Sequence, residues 1–252
     1  MLEIESFEQL LSNFRASYFS VALLLPESVM INYIQQMSEW SVWRGEELLR
    51  WLEQSMVTSE MLVQRMANIL PHHFGVKNLF FMRFFTGPDM KKVLVTKEMH
   101  LSQLHDPHAN QLDEHYCRRW ISIRLIGHLK AKQGIEANQG PITGAQISRY
   151  WDTPNAYFCM AIAKPTRENP ENSSSVTIGL LLNDQLRDTF PFLADPAILT
   201  KDVHTTCERC AIVECEARAA PPVFLKQQRR RATTRKALED MRQHLVGSGK
   251  KS

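Results

Sequence analysis

Residues 79–96 read Leu79-Phe-Phe-Met-Arg-Phe-Phe85-Thr-Gly87-Pro88-Asp89-Met-Lys91-Lys92-Val93-Leu-Val-Thr96, two apolar runs on either side of a Gly-Pro-Asp turn. Aromatic and β-branched side chains suit a pleated, half-buried surface, so the stretch predicts two strands separated by a turn. Upstream the period is different. Phe7, Leu10, Leu11, Phe14, Tyr18 and Phe19 recur every three to four residues and predict an amphipathic helix, interrupted at Pro26. Leu48, Leu49 and Leu52 mark a second stripe. A third helix opens at Thr58-Ser59-Glu60 and presents Met61, Leu62, Met66, Ile69 and Leu70, with Pro71 as its stop and Gly75 shortly after. The change of texture puts a domain boundary near residue 75.

Downstream, Trp120, Ile123, Leu125 and Ile126 predict a helix over 118–132. Three further strands are expected over 144–150, 156–163 and 175–182, with a polar loop over 168–175. The fold class is therefore α+β: an N-terminal helical segment, a mainly antiparallel sheet with a cysteine-bearing loop, and a C-terminal helix. The expected domains are 1–75, 76–222 and 223–252, the last being a helix over 224–246 that frays from Gly247. No internal repeat is visible.

The 252 residues, 44% of them hydrophobic, suffice for a sizeable core. A formal charge of only +3 gives no global basic field, so positive residues matter by position. No apolar run reaches the roughly 18 residues of a membrane span, and the start, Met1-Leu-Glu-Ile-Glu-Ser-Phe-Glu, is acidic where a signal peptide is basic. A cytoplasmic protein without a membrane partner is expected.

Of five cysteines, three lie in Cys207-Glu-Arg-Cys210-Ala-Ile-Val-Glu-Cys215, a C-x2-C-x4-C pattern. In a reducing compartment such a cluster binds metal or senses redox more often than it forms disulfides. Two cysteines two residues apart chelate one centre through a tight turn, and the third can fold back to the same point. A tetrahedral site needs a fourth ligand. Cys117, at the start of a helix among basic residues, is chosen because a thiolate is favoured there; His115 and His204 are the alternatives. Cys159, inside an apolar strand, reads as a small core residue. Spacing alone leaves iron–sulfur and zinc near parity.

The run Cys207-x2-Cys210-x4-Cys215-x2-Arg218-Ala219-x-Pro221-Pro222 resembles the signature of the C-terminal domain of short-chain fatty acyl-CoA-responsive bacterial regulators, departing only at Ala220, where an aromatic is usual. Cys117-Arg118-Arg119-Trp120 resembles that family's Cys-Pro-Arg-Trp, departing at Arg118. Phe80-Phe81-Met82-Arg83 is similar to its Phe-Leu-Arg strand. Residues 7–75 look like the later part of its zinc-peptidase-like domain but carry no His-Glu-x-x-His, so protease chemistry is not implied. The resemblance implies a regulator with a helix-turn-helix DNA-binding domain not present in this chain, and a sensor domain that binds an acyl-CoA and a 4Fe–4S cluster on Cys117, Cys207, Cys210 and Cys215. A structural zinc without redox role is the alternative, and a homo-oligomer is expected.

A CoA pocket needs cationic side chains for phosphates and an apolar slot. Arg83, Lys91, Lys92 and Arg119 fall in segments that resemble the family's, and Arg149 and Tyr157 are added from expected strands; each also reads as an ordinary strand or surface residue. The run from Lys226 to Lys236 includes Arg229, Arg230 and Arg231 and no acid. It suits DNA phosphates, although the charged outer face of a helix is the plainer reading. No nucleophile elbow, phosphate-cradling glycine loop or metalloprotease helix is present, so an enzyme is not expected.

Overall fold

The computed structural model describes residues 6–101, 114–133 and 140–248. Four helices come first: α1 (Phe7–Leu24), α2 (Glu27–Ser38), α3 (Gly45–Ser55) and α4 (Ser59–His73). Their ends follow from local chemistry. Ser6 and Thr58 each accept a first-turn amide, from Gln9 and Met61, through their hydroxyls at 3.2 Å. Pro71, expected to end α4, instead lies inside its last turn. A proline there removes one amide, and the terminus is set by Gly75, whose φ of 68° turns the chain while the Phe74 and Val76 amides both donate to the Leu70 carbonyl.

Then follow β1 (Leu79–Thr86), β2 (Val93–His100), α5 (Ile121–Gln133), β3 (Ile142–Tyr150), β4 (Ala156–Pro165) and β5 (Ser173–Leu181). The chain closes with α6 (Asp184–Thr189), a 3-10 turn (Pro191–Ala194), β6 (Thr200–Val203) and α7 (Val223–Ser248). The fold is α+β, with one sheet in the order β2-β1-β5-β4-β3-β6. Every pairing is antiparallel except β6 with β3. β6, not among the strands expected from the sequence, is at four residues too short to show alternation. α7 runs one residue past Gly247, where fraying was expected.

The chain packs as two units, residues 1–106 with 119–203, and residues 107–118 with 204–252. No boundary falls at residue 75. Met30, Ile34, Met37, Leu48, Trp51, Leu62, Met66 and Leu70 of the helices share one core with Leu79, Phe81, Phe158, Met160, Ile178 and Leu180 of the sheet. Neither the helices nor the strands bury a complete apolar face alone; each such side chain contributes about 1.5–3 kcal/mol once covered. The basic C-terminal helix, expected as a region of its own, belongs to the second unit together with the cysteines.

Because side chains alternate along a strand, the opposite face of the sheet carries Phe80, Phe84, Gly144, Gln146, Cys159, Thr177 and Gly179, and α5 covers it. This face is more polar. Gln146 donates to the Arg119 carbonyl and Ser148 and accepts from Arg124, and Thr177 donates to the Ser122 hydroxyl at 2.7 Å. On the helical side the buried Arg65 donates to the Leu25 carbonyl at the end of α1 and to the Tyr18 hydroxyl, both at 3.1 Å. Its cation is satisfied by closing the α1 terminus. Among the described residues no single helix is long and apolar enough to cross a membrane; α1 and α2 reach that composition only together, across a 71° bend.

Gly179 lies directly opposite Phe80, and a Cβ on it would stand 2.2 Å from the ring. Gly179→Ala should therefore cost about 1–3 kcal/mol in urea denaturation, and the penalty should shrink in a Phe80→Leu background. Equal penalties in both backgrounds would contradict the close approach.

Candidate metal centre

Two of the four proposed ligands, Cys117 and Cys207, flank one short antiparallel bridge of the second unit, Tyr116 with Thr206. The Cys117 amide donates to the Thr205 carbonyl at 3.1 Å, and the Cys207 amide to the His115 carbonyl at 2.8 Å. Alternation about this bridge puts Cys117 and Cys207 diagonally adjacent on one face. Both are buried. From Cys207 the chain turns at once, the Cys210 amide returning to the Cys207 carbonyl at 3.3 Å, so Cys210 stays at the same end of the unit.

Arg218 shapes the rest of the loop. Its amide donates to the Cys215 carbonyl at 3.1 Å, and its guanidinium reaches the carbonyls of Cys207 at 3.0 Å, Cys210 at 3.5 Å and Ile212. One planar fork thereby holds both the two-residue and the four-residue spacer between the cysteines. The next amide, that of Ala219, donates to Cys207 Sγ at 3.3 Å.

A second framework surrounds this one. The buried Glu114 carboxylate accepts from the Thr206 hydroxyl at 2.6 Å and from both Nε and Nη2 of Arg209, at 2.7 and 2.6 Å. That bidentate bond, more than any other influence, raises the Arg209 guanidinium above its usual range. Arg209 also lies over the Phe224 ring, 5.1 Å from its centre, and the Phe224 amide donates to the Glu208 carbonyl, joining the start of α7 to the loop. Glu208 accepts the His115 amide at 3.0 Å, and its other oxygen lies 2.7 Å from His115 Nδ1.

The electrostatics bear on the thiols. Burial pushes the Cys210 thiol up, the Ile212 amide and Arg218 oppose this, and the neighbouring Cys215 and Cys207 reinforce it. Cys210 thus lies within electrostatic reach of both Cys215 and Cys207, and negative charge on either makes it harder to ionise. Burial also lowers Arg118, while negative charge on Cys207 raises it. Cys207 is accordingly flanked by a cation and an N–H donor. Among the described residues no group of three or more His, Cys, Asp or Glu side chains is already drawn together at metal-holding spacing. A centre held by four thiols requires their side chains to turn inward on this backbone.

Cys159 lies on β4, buried, with its thiol pushed up to about 12 by burial, as suits a small core residue. His204 turns its Nδ1 onto the Thr205 amide and hydroxyl, at 2.9 and 3.1 Å. The residues expected to bind CoA do not form one group. Arg83 pairs with Glu60 at 3.4 Å, Lys91 with Asp89 at 3.4 Å, and Lys92 is exposed near the same turn. Tyr157 is fully buried against Phe80 and Tyr150. Only Arg119 and Arg149 meet, both on Asp202: the first on its carbonyl and the second on its carboxylate, each at 2.9 Å. Arg229, Arg230 and Arg231 lie exposed on α7.

The residues that hold the loop, Arg218, Glu114, Arg209 and Glu208, received no role from the sequence. Arg218 carried a signal, an arginine three residues after the last cysteine; Glu114 carried none, because its partners are distant in the chain. Comparison with family models, with curated proteins and with solved structures returns no match.

Replacing Arg218 by Met should leave the Cys207, Cys210 and Ile212 carbonyls without their shared donor. Hydrogen exchange at the Cys210 and Ala219 amides should then speed up by an amount equivalent to about 1–3 kcal/mol, with the first unit unaffected. Unchanged protection would remove Arg218 from this role.

Proposed function

We propose that this chain is the sensing module of a bacterial transcriptional regulator, a binding protein rather than an enzyme, in which Cys117, Cys207, Cys210 and Cys215 hold a 4Fe–4S cluster. The presentation of Cys207 supports this reading most. Its sulfur accepts the Ala219 amide at 3.3 Å, lies near the Arg118 cation, and shares a bridge face with Cys117. Hydrogen bonds and positive charge at a sulfur favour the thiolate that a cluster ligand must be, and such contacts tune a cluster's potential. When bound, the cluster supplies a redox-responsive centre. The chain's own residues do the holding: Arg218 keeps the loop closed, and the Glu114–Arg209 pair fixes the bridge to the turn.

The acyl-CoA or CoA part of the proposal draws on Arg119 and Arg149, two guanidiniums that share Asp202 in the first unit. Releasing that aspartate would free both for a phosphate. The DNA part draws on α7, where Arg229, Arg230 and Arg231 stand exposed and, among the described residues, pair with no acid. These contacts would add to a helix-turn-helix domain elsewhere, in a cytoplasmic protein.

Protein purified without oxygen should be coloured, with broad absorption near about 400 nm and iron and sulfide in cluster proportion. Cys207→Ser should abolish the colour and Cys159→Ser should leave it. A colourless protein carrying one equivalent of zinc would sink the iron assignment and leave a structural zinc in an interaction protein.

For α7, affinity for duplex DNA should fall steeply with salt. Replacing Arg229, Arg230 and Arg231 by Gln should reduce the slope of log affinity against log salt by about three. An unchanged slope would take these residues out of the DNA contact.

A further inference from the structure

Helix α1 carries an apolar surface larger than its own unit covers. Phe7, Leu11, Phe14, Tyr18, Val21 and Leu25 follow one another at alternating spacings of four and three residues, the heptad seam of a helix that packs along another helix. The seam is used at one end only. Val21 and Leu25 are buried, and Arg65 anchors Tyr18 and the Leu25 carbonyl, whereas Phe7 is 75% exposed, Phe14 52% and Leu11 36%. Off the seam, Phe19, Leu23 and Leu24 are more than half exposed as well. A helix apolar on this many sides is one that is surrounded.

We infer that α1 pairs antiparallel with α1 of a second copy of this chain. The flanking charges select that partner and direction. Taking Phe7 and Phe14 as the d positions of the heptad, Glu8 and Arg15 occupy the two e positions, and antiparallel helices set e against e. Leu11 then packs on Phe14 of the second copy and Phe7 on its Tyr18. Glu8 faces the second Arg15, and by symmetry Arg15 faces the second Glu8, an isologous contact that closes on itself. A parallel pair would leave Arg15 opposite Leu10 without a charge partner. The area is that of a small interface: at about 180 Å² for each large apolar side chain, the exposed parts of the four seam residues Phe7, Leu11, Phe14 and Tyr18 come to roughly 380 Å² per copy, below the ~800 Å² per partner of a standard interface, which suits a weak pairing whose partner and direction the charges select. An anionic membrane surface is a poorer match, since the described part of α1 offers it one cation, Arg15, beside one acid, Glu8.

The test is sedimentation of the full chain across the micromolar range. A monomer–dimer equilibrium is expected, lost in Phe14→Glu with the circular dichroism and thermal midpoint of the parent retained, since the residue is half exposed and the change removes no core packing. Glu8→Arg and Arg15→Glu should each weaken dimerisation roughly tenfold through two like-charge contacts, and the double exchange should restore it. That rescue holds the proposal to account even if Phe14→Glu misfolds. A monomer at every concentration, a dimer indifferent to Phe14→Glu, no recovery in the double exchange, or co-sedimentation of the chain with anionic phospholipid vesicles that Phe14→Glu abolishes would each overturn it.

Discussion

The antiparallel pairing of β1 with β5 is the constraint from which the first unit follows. It joins the first strand of the chain to the last of the β3-β4-β5 meander, in register from Leu79 with Leu180 to Thr86 with Ser173, and so places β1, β5 and β4 inside the sheet. Interior strands must be covered on both faces, and the two faces are met differently. Leu180, Ile178, Phe81 and Met160 take the apolar α2–α4 helices, while Gly179, Thr177 and Gln146 take α5. The approach of Phe80 to Gly179 shows how little slack the second face has. Tyr157, on the same face, is wholly interior against Phe80 and Tyr150.

A far smaller pairing governs the second unit. Two backbone hydrogen bonds around Tyr116 and Thr206 join segments remote in sequence, and around them the polar groups of an irregular loop find partners one by one. Irregular backbone cannot satisfy itself through a ladder, so side chains do it: Arg218 for three carbonyls, Glu208 for the His115 amide, Glu114 for Thr206 and Arg209. These contacts, most of them made by groups other than the thiols, hold the loop in shape. Burial, reinforced by the neighbouring Cys215 and Cys207, pushes the Cys210 thiol up.

The division of cationic side chains is informative for the proposed sensing role. Arg83 and Lys97 are committed to Glu60, Lys91 to Asp89, and Arg118 stands beside Cys207. Arg119 and Arg149 share a single aspartate, and the α7 arginines are exposed. Positive residues that look equivalent along the chain thus differ in what it would cost to recruit them: a half-buried pair must be broken, an exposed side chain only ordered.

The sequence by itself determined the class of fold and the position of the cysteine-bearing loop. Periodicity of three to four marked α1, α3 and α4 but not α2, alternation and turn residues marked β1 to β5, and the spacing of Cys207, Cys210 and Cys215 marked the loop, because these signals are local. The 1–75 segment could not be recognised as part of the same core as the sheet, since an apolar stripe does not say what covers it. Pro71 did not end its helix, because the Phe74 and Val76 amides close the last turn on the Leu70 carbonyl beyond it. Tertiary structure alone decided that Cys117 shares a bridge face with Cys207, that Glu114 and Arg209 lock the turn, and that of the six residues expected at CoA, Arg119 and Arg149 meet on Asp202 while Tyr157 is buried in the core. Each of those outcomes joins residues far apart in the chain, and side-chain chemistry fixes what a residue can bond to but not which distant partner the fold will bring.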